Sequence, residues 1–209
     1  KLVLRKGRYL DVLQALVRET GACHVYWNRR YEPHLIEHDT IIKATLKSSG
    51  VSVETFIGNV LFEPWETATK AGKPYQVFTP FYKNLLLQEP AACVETPATI
   101  KHYMPKLDSE TISGLALLTK NPPLDIWQPG EKGALKALDH FVKGPLDVYG
   151  HGRDFPADEG TSRLSPFLHF GEISVRHVAK SLRGVGSEGF YRELIWREFA
   201  IHLLYYFPH

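Results

Sequence analysis

Apolar residues in the first sixty positions of this chain switch between two periods, and that alternation limits the fold more than any other feature. "LVLRKG" and "ACHVYWN" read as extended runs, while "RYLDVLQALVRETG" between them sets Leu10, Leu13, Leu16 and Val17 at helical spacing. "HDTIIKATLKSSG" repeats the helical pattern with Ile42 and Leu46 and closes on Gly50, after which "VSVETF" is extended again. A β-α-β-α-β order predicts a parallel, Rossmann-like α/β sheet with right-handed crossovers, because parallel neighbours need a long connection and a helix supplies it. The sequence has neither a GxGxxG nor a P-loop lysine motif, so the two commonest nucleotide sites of such a sheet lack their signature.

The alternation then stops. "PKLDSETISGLALLTKNPPLDIWQPG", from residue 105 to 130, has several prolines and weak periodicity, as a connector does. Beyond it "EKGALKALDHFVKGPLDVYG", "SVRHVAKSLRG" and "SEGFYRELIWREFAIHLLYYFPH" are helical segments with no strand between them, which predicts an all-α second domain. "KLVLRKG" opens without an initiator Met, and "YYFPH" stops inside an apolar segment. The expected organisation is therefore an α/β domain over residues 1–105 that lacks its first strand, a connector over 106–130, and a helical domain over 131–209 that lacks its C-terminal part.

Composition narrows the function classes. With 44% hydrophobic and 23% charged residues the chain is that of a well-packed protein, and its net charge of +2 makes no electrostatic case for nucleic acid. Residues 131–209 balance 10 Lys and Arg against 10 Asp and Glu, so any such partner must be argued locally. Cys23 and Cys93 lie far apart without metal-ligand spacing; they predict buried free thiols, a reducing cytoplasmic setting and no metal site. No apolar run approaches the roughly 18 residues of a membrane span.

Two stretches carry chemistry. In "DEGTSRLSPFLHFGEIS" Thr161, Ser162 and Arg163 lead into Ser165, a good helix N-cap, and Pro166, a good first helical residue. Hydroxyls, a guanidinium and a helix start together suit a phosphate, and an ordinary capped turn uses the same residues. In "FYRELIWREFAIHLL" the spacing puts Phe190, Glu193, Trp196 or Arg197, and Ala200 on one face. Such a mixed face fits an aromatic polar ligand, or else a core helix in which Glu193 and Arg197 pair at i,i+4.

"GTSRLSPFLHFGEIS" followed by "ELIWREFAIHLLYYFP", with "VYWNRRYEP" and "VFTPFYK" upstream, resembles the photolyase/cryptochrome family, and within it the class I cyclobutane pyrimidine dimer photolyases. The resemblance runs the length of the chain in the family's order. It implies an N-terminal α/β antenna domain and a helical domain that binds FAD, in the reduced form when active. It implies that Thr161, Ser162, Arg163, Leu164 and Ser165 hold the flavin pyrophosphate, with Tyr149, Phe190 and Arg197 also at the cofactor. Phe190 stands where many relatives carry Trp. Glu193 and Trp196 correspond to the carboxylate and indole that meet the damaged base, and Arg153 to a contact with DNA phosphate. A second chromophore, methenyltetrahydrofolate or a deazaflavin, is implied near residues 28–33 and 71–81. The implied partner is DNA containing cyclobutane dimers, met by a monomer away from membranes. The implied activity is light-driven dimer repair; the competing one is blue-light signalling by a cryptochrome, against which Trp196 in "LIWREF" speaks.

Overall fold

The computed structural model describes residues 2–101, 103, 105–115, 127–182 and 187–209. The chain gathers into two compact units that interleave in sequence: Lys1–Trp27, His34–Phe56 and Val94–Pro123 form one, Asn28–Pro33, Ile57–Cys93 and Leu124–His209 the other.

In the first unit, helix α1 (Tyr9–Thr20) ends at Gly21, which takes φ +66 so that its N–H can reach the Val17 carbonyl at 2.9 Å. Strand β1 (His24–Asn28), helix α2 (Pro33–Ser48) and strand β2 (Ser52–Phe56) follow. The strands form a two-stranded parallel sheet. Alternation along them turns Val25, Trp27 and Val53 inward, against Leu10, Leu13 and Val17 of α1 and Ile42 and Leu46 of α2. Tyr26 and Phe56 stay exposed on the other face, their rings 5.9 Å apart.

The expected strand over "LVLRKG" is not part of this sheet. Its backbone and the Arg5 side chain are claimed by a distant segment: Leu4 N–H donates to Ser109 Oγ at 3.0 Å, Glu110 N–H donates to the Leu4 carbonyl at 2.8 Å, and Arg5 Nε–H donates to the Asp108 carbonyl at 2.8 Å. Period-2 patterning states that a run is extended and not which backbone it will pair with. The buried thiols are a second correction. Cys23 is exposed and Cys93 half-buried, both unbridged, since each falls in a connecting stretch rather than on a core-facing position.

The second unit is helical: α3 (Phe78–Leu85), α4 (Glu131–Lys143), α5 (Tyr149–Gly152), α6 (Ser165–His169), α7 (Val175–Ser181) and α8 (Glu188–Tyr206). Beyond Phe56 no strand occurs among the described residues, and from residue 131 onward this is what the helical patterning predicts; residues 116–126 of the expected connector lie outside the described residues. Helix α8 is the centre. It buries Phe190, Leu194, Ile195, Glu198, Phe199 and His202, whose one-, three- and four-residue spacing lines one broad face of the helix, and α3, α5 and α7 all pack on it. Phe199 meets Phe81 at 5.1 Å and Phe78 at 5.7 Å. Burying a Phe of this kind contributes about 1.5–3 kcal/mol.

Two polar groups of α8 are buried with their partners, and both bind the stretch between residues 57 and 75. Glu198 Oε2 accepts the Leu61 N–H at 2.7 Å and its Oε1 accepts from Arg197 Nη1 at 3.3 Å. Burial outweighs these contacts and pushes the Glu198 carboxyl up to about 7. His202 is 1% exposed; its Nε2 accepts the Tyr75 N–H at 3.1 Å, so the ring proton sits on Nδ1, 3.2 Å from Thr67 Oγ1. The Thr67 hydroxyl in turn donates a hydrogen bond to the Pro64 carbonyl at 3.0 Å. Burial holds the imidazole below its ordinary value, which keeps it neutral.

Candidate functional site

The site grows from where α8 turns its polar residues. Leu194 and Ile195 point into the core, so Glu193 and Trp196, three apart, share the outer side of the same turn. Trp196 is 43% exposed although its ring is held: the Phe78 ring, at the start of α3, lies parallel to it at 3.5 Å between centroids and 5° between planes. Phe199 meets the indole edge-on at 5.9 Å. Glu193 Oε1 accepts from Arg153 Nη1 at 2.6 Å. That bond is the main cause holding the Arg153 guanidinium above its ordinary value. Arg153 also lies over the Tyr149 ring, 5.6 Å from its centroid.

The one-faced stripe expected on α8 divides in two. Phe190 belongs to the core, 4.6 Å from Phe141 and 5.2 Å from the ring of Tyr149, whose phenol burial pushes up. Arg197 does not pair with Glu193. It donates from Nη1 to the Asn59 carbonyl at 2.6 Å and from Nη2 to Asn59 Oδ1, beside Glu198. The i,i+4 reading of the helix fails because each member finds a partner outside it, Arg153 for the acid and Asn59 for the base. Burial lowers the Arg197 guanidinium from its ordinary value.

The loop from Gly152 to Ser165 returns to its own start. A Cβ on Gly160 would stand 2.4 Å from the Gly152 carbonyl carbon, so the two glycines let the backbone touch. Sequence reasoning missed this pair; its signal was a glycine at each end of "RDFPADE". The contact ties residues 161–165 to α5, which carries Tyr149 and leads into Arg153. Arg163 takes φ +51, uncommon for a residue with a side chain. Ser165 is not the N-cap. Leu164 takes that place, its N–H held by Ser162 Oγ at 3.3 Å and its carbonyl accepting from Leu168, so winding begins one residue earlier than the Ser-Pro signal suggests. Leu164 itself is fully buried, while the side chains of Thr161, Arg163 and Ser165 are exposed and without a partner among the described residues. Two free hydroxyls and a free guanidinium on one short loop form a donor set suited to a pyrophosphate.

The stretch over residues 28–33 is also built. Glu63, 3% exposed, takes Arg29 Nε–H on Oε1 at 2.7 Å and the Tyr31 hydroxyl on Oε2 at 2.8 Å. Burial first, then this bond, pushes the Tyr31 phenol far up. Glu63 is invisible as a site residue in sequence, since nothing there relates it to Arg29. A separate cavity of about 510 Å³ opens between α3 and α7, lined by Tyr82, Arg176 and Tyr191. None of the α8 surface residues named above lines it.

Comparison with known proteins agrees with this arrangement. Residues 1–99 match the family model of DNA photolyase. Over the whole chain the sequence is 44% identical to deoxyribodipyrimidine photo-lyase of Agrobacterium fabrum, covering 46% of that protein, and over 99% of the chain it is 32% identical to cryptochrome-2 of Arabidopsis thaliana, covering 38% of it. The structure superposes with a TM-score of 0.93 on that of a bacterial class III photolyase from Agrobacterium tumefaciens, at 41% identity, over 100% of this chain and 46% of the other. The chain thus spans about half the length of the curated relatives it matches. The family-model match over residues 1–99 and the whole-chain similarity to photolyases and a cryptochrome together align this chain with the photolyase/cryptochrome family.

Proposed function

We propose that this chain carries the lesion-facing and part of the FAD-binding machinery of an enzyme that splits cyclobutane pyrimidine dimers in DNA under light. The observation that carries the reading is the Trp196 indole, stacked on one side by Phe78 and exposed on the other, one turn from a Glu193 held by Arg153. An indole in that state offers a flat apolar surface to a base taken out of the duplex, a step for which photolyases are among the known examples. Glu193 offers acceptor oxygens beside the same surface, and Arg153, exposed next to it, suits a DNA phosphate.

Reduced FAD, when bound and excited, supplies the electron that opens the dimer. Thr161, Ser165 and Arg163 would hold its pyrophosphate, Ser162 and Leu164 shape the loop that presents them, and Tyr149 with Phe190 wall the neighbouring core. Arg197, tied to Asn59 and Glu198, would support the pocket from behind. Within this reading residues 1–105 form the antenna domain, 106–130 the connector and 131–209 the beginning of the FAD domain. Arg29 and Tyr31 are the residues of 28–33 that would border a folate or deazaflavin chromophore. The enzyme would act as a cytoplasmic monomer on DNA; among the described residues no helix is long and apolar enough to cross a membrane.

The test is made on the full-length protein. Base–aromatic stacking is worth roughly 1–3 kcal/mol per base, so Trp196→Ala should weaken binding to a dimer-containing oligonucleotide by about one to two orders of magnitude. Undamaged DNA should be little affected. Glu193→Ala should lower the quantum yield of splitting at saturating substrate more than it lowers affinity, because the carboxyl gains its stronger partner after electron transfer. Unchanged lesion preference in Trp196→Ala would overturn the assignment and favour signalling over repair.

A further inference from the structure

We infer that Phe78 is a positioning residue for the Trp196 indole: it covers the inner face of the ring, so that the outer face stays oriented for a flat ligand. The inference rests on the lesion-facing reading of Trp196 and adds a residue from a different segment of the chain. The two ring planes are nearly parallel and stacked face to face, 3.5 Å apart at 5°. A direct face-to-face pair is not the arrangement that ring quadrupoles prefer. The surrounding packing must impose it, and that packing is visible. Phe78 is 6% exposed; Phe199 meets it edge-on at 5.7 Å, Tyr82 lies 5.6 Å away at 22°, and the Arg192 guanidinium stands 5.6 Å from its centroid. Phe78 therefore has almost no freedom, whereas Trp196, at 43% exposure, has lost freedom only where Phe78 and Phe199 touch it.

An exposed indole without such a backing would sample several rotamers, and binding would have to order it. With the backing, the ring is already in the plane a stacked base requires. Phe78 contributes to recognition through Trp196, without touching the ligand.

The experiment is a double-mutant cycle on full-length protein loaded with its cofactor, reading affinity for a dimer-containing oligonucleotide against the undamaged one. Phe78→Leu should weaken lesion binding by about three- to tenfold, the scale of freezing one rotamer-rich side chain. In a Trp196→Ala background the same substitution should have no further effect on lesion binding. Phe78→Tyr, which keeps the ring, should bind within about twofold of wild type, on the same principle that the ordering cost is unchanged. If Phe78→Leu does not fold, Phe78→Met, which keeps apolar volume without a ring plane, takes its place in the cycle. A loss that persists undiminished in Trp196→Ala would make Phe78 a general packing residue and overturn the inference, as would wild-type lesion affinity in the ring-less variants. Failure of Trp196→Ala alone to weaken lesion binding is a different result, which strikes the lesion-facing reading itself.

Discussion

Replacing Glu198 with Gln should flatten the dependence of stability on pH between about 5 and 8. The carboxyl lies almost wholly inside the second unit, and burial lifts it from the ordinary 4.5 to about 7 even though the Leu61 amide and Arg197 both pull the other way. Because the folded-state value is above the unfolded one, the folded chain keeps this proton longer than the unfolded chain does. The contribution to stability is complete below about pH 4.5 and is lost as pH rises through 7. At about 1.4 kcal/mol per unit of pKa, the interval amounts to roughly 3 kcal/mol, most of it between pH 5 and 8. Gln keeps the size of the side chain and an oxygen for the Leu61 N–H, and has no proton to lose. Urea unfolding of wild type and Glu198→Gln at matched pH gives the difference in stability, in which every other titrating group cancels. Wild type should lose ground to the variant by about 2–3 kcal/mol as pH rises over this range. Parallel curves, or a wild type that gains on the variant with rising pH, would refute the assignment of a mostly protonated, desolvated carboxyl.

His202 titrates with the opposite sign: its folded-state value is held below 6.5, so stability is present above that pH and falls as pH drops and the unfolded chain takes up a proton. Ring resonances of His202 that titrate at or above the ordinary value would contradict the neutral tautomer bound to Tyr75 and Thr67. Gly160→Ala should cost on the order of 1–3 kcal/mol, because its Cβ would meet the Gly152 backbone at 2.4 Å and the loop that carries Thr161 to Ser165 would have to shift. Gly150→Ala, where a Cβ meets nothing within 4 Å, is the control. Equal unfolding midpoints for the two variants would show that the close approach does not hold the loop.

Local patterning was enough for α1, α2, β1 and β2, whose periods depend only on neighbours along the chain, and for the lack of strands among the described residues from 131 onward. It put Glu193 and Trp196 on one side of a helix, since two residues three apart share a side whatever surrounds the helix, while only the family resemblance set this pair apart from Phe190, Arg197 and Ala200. Partner choice was another matter. Leu4 pairs with Ser109 and Glu110 instead of joining the sheet, Glu193 meets Arg153, Arg197 meets Asn59, and Phe78 backs Trp196. Each of these joins segments far apart in sequence, and periodicity holds no term for such distances. The burial of Phe190 and the exposure of Trp196 on one helix were decided the same way, by what packs against each turn: Phe141 and Tyr149 close over the first, while Phe78 and Phe199 leave one side of the second open to solvent. The sequence by itself determined which residues could form a ligand face; only the tertiary structure decided which of them the core would claim, because burial is a property of the neighbours and not of the residue.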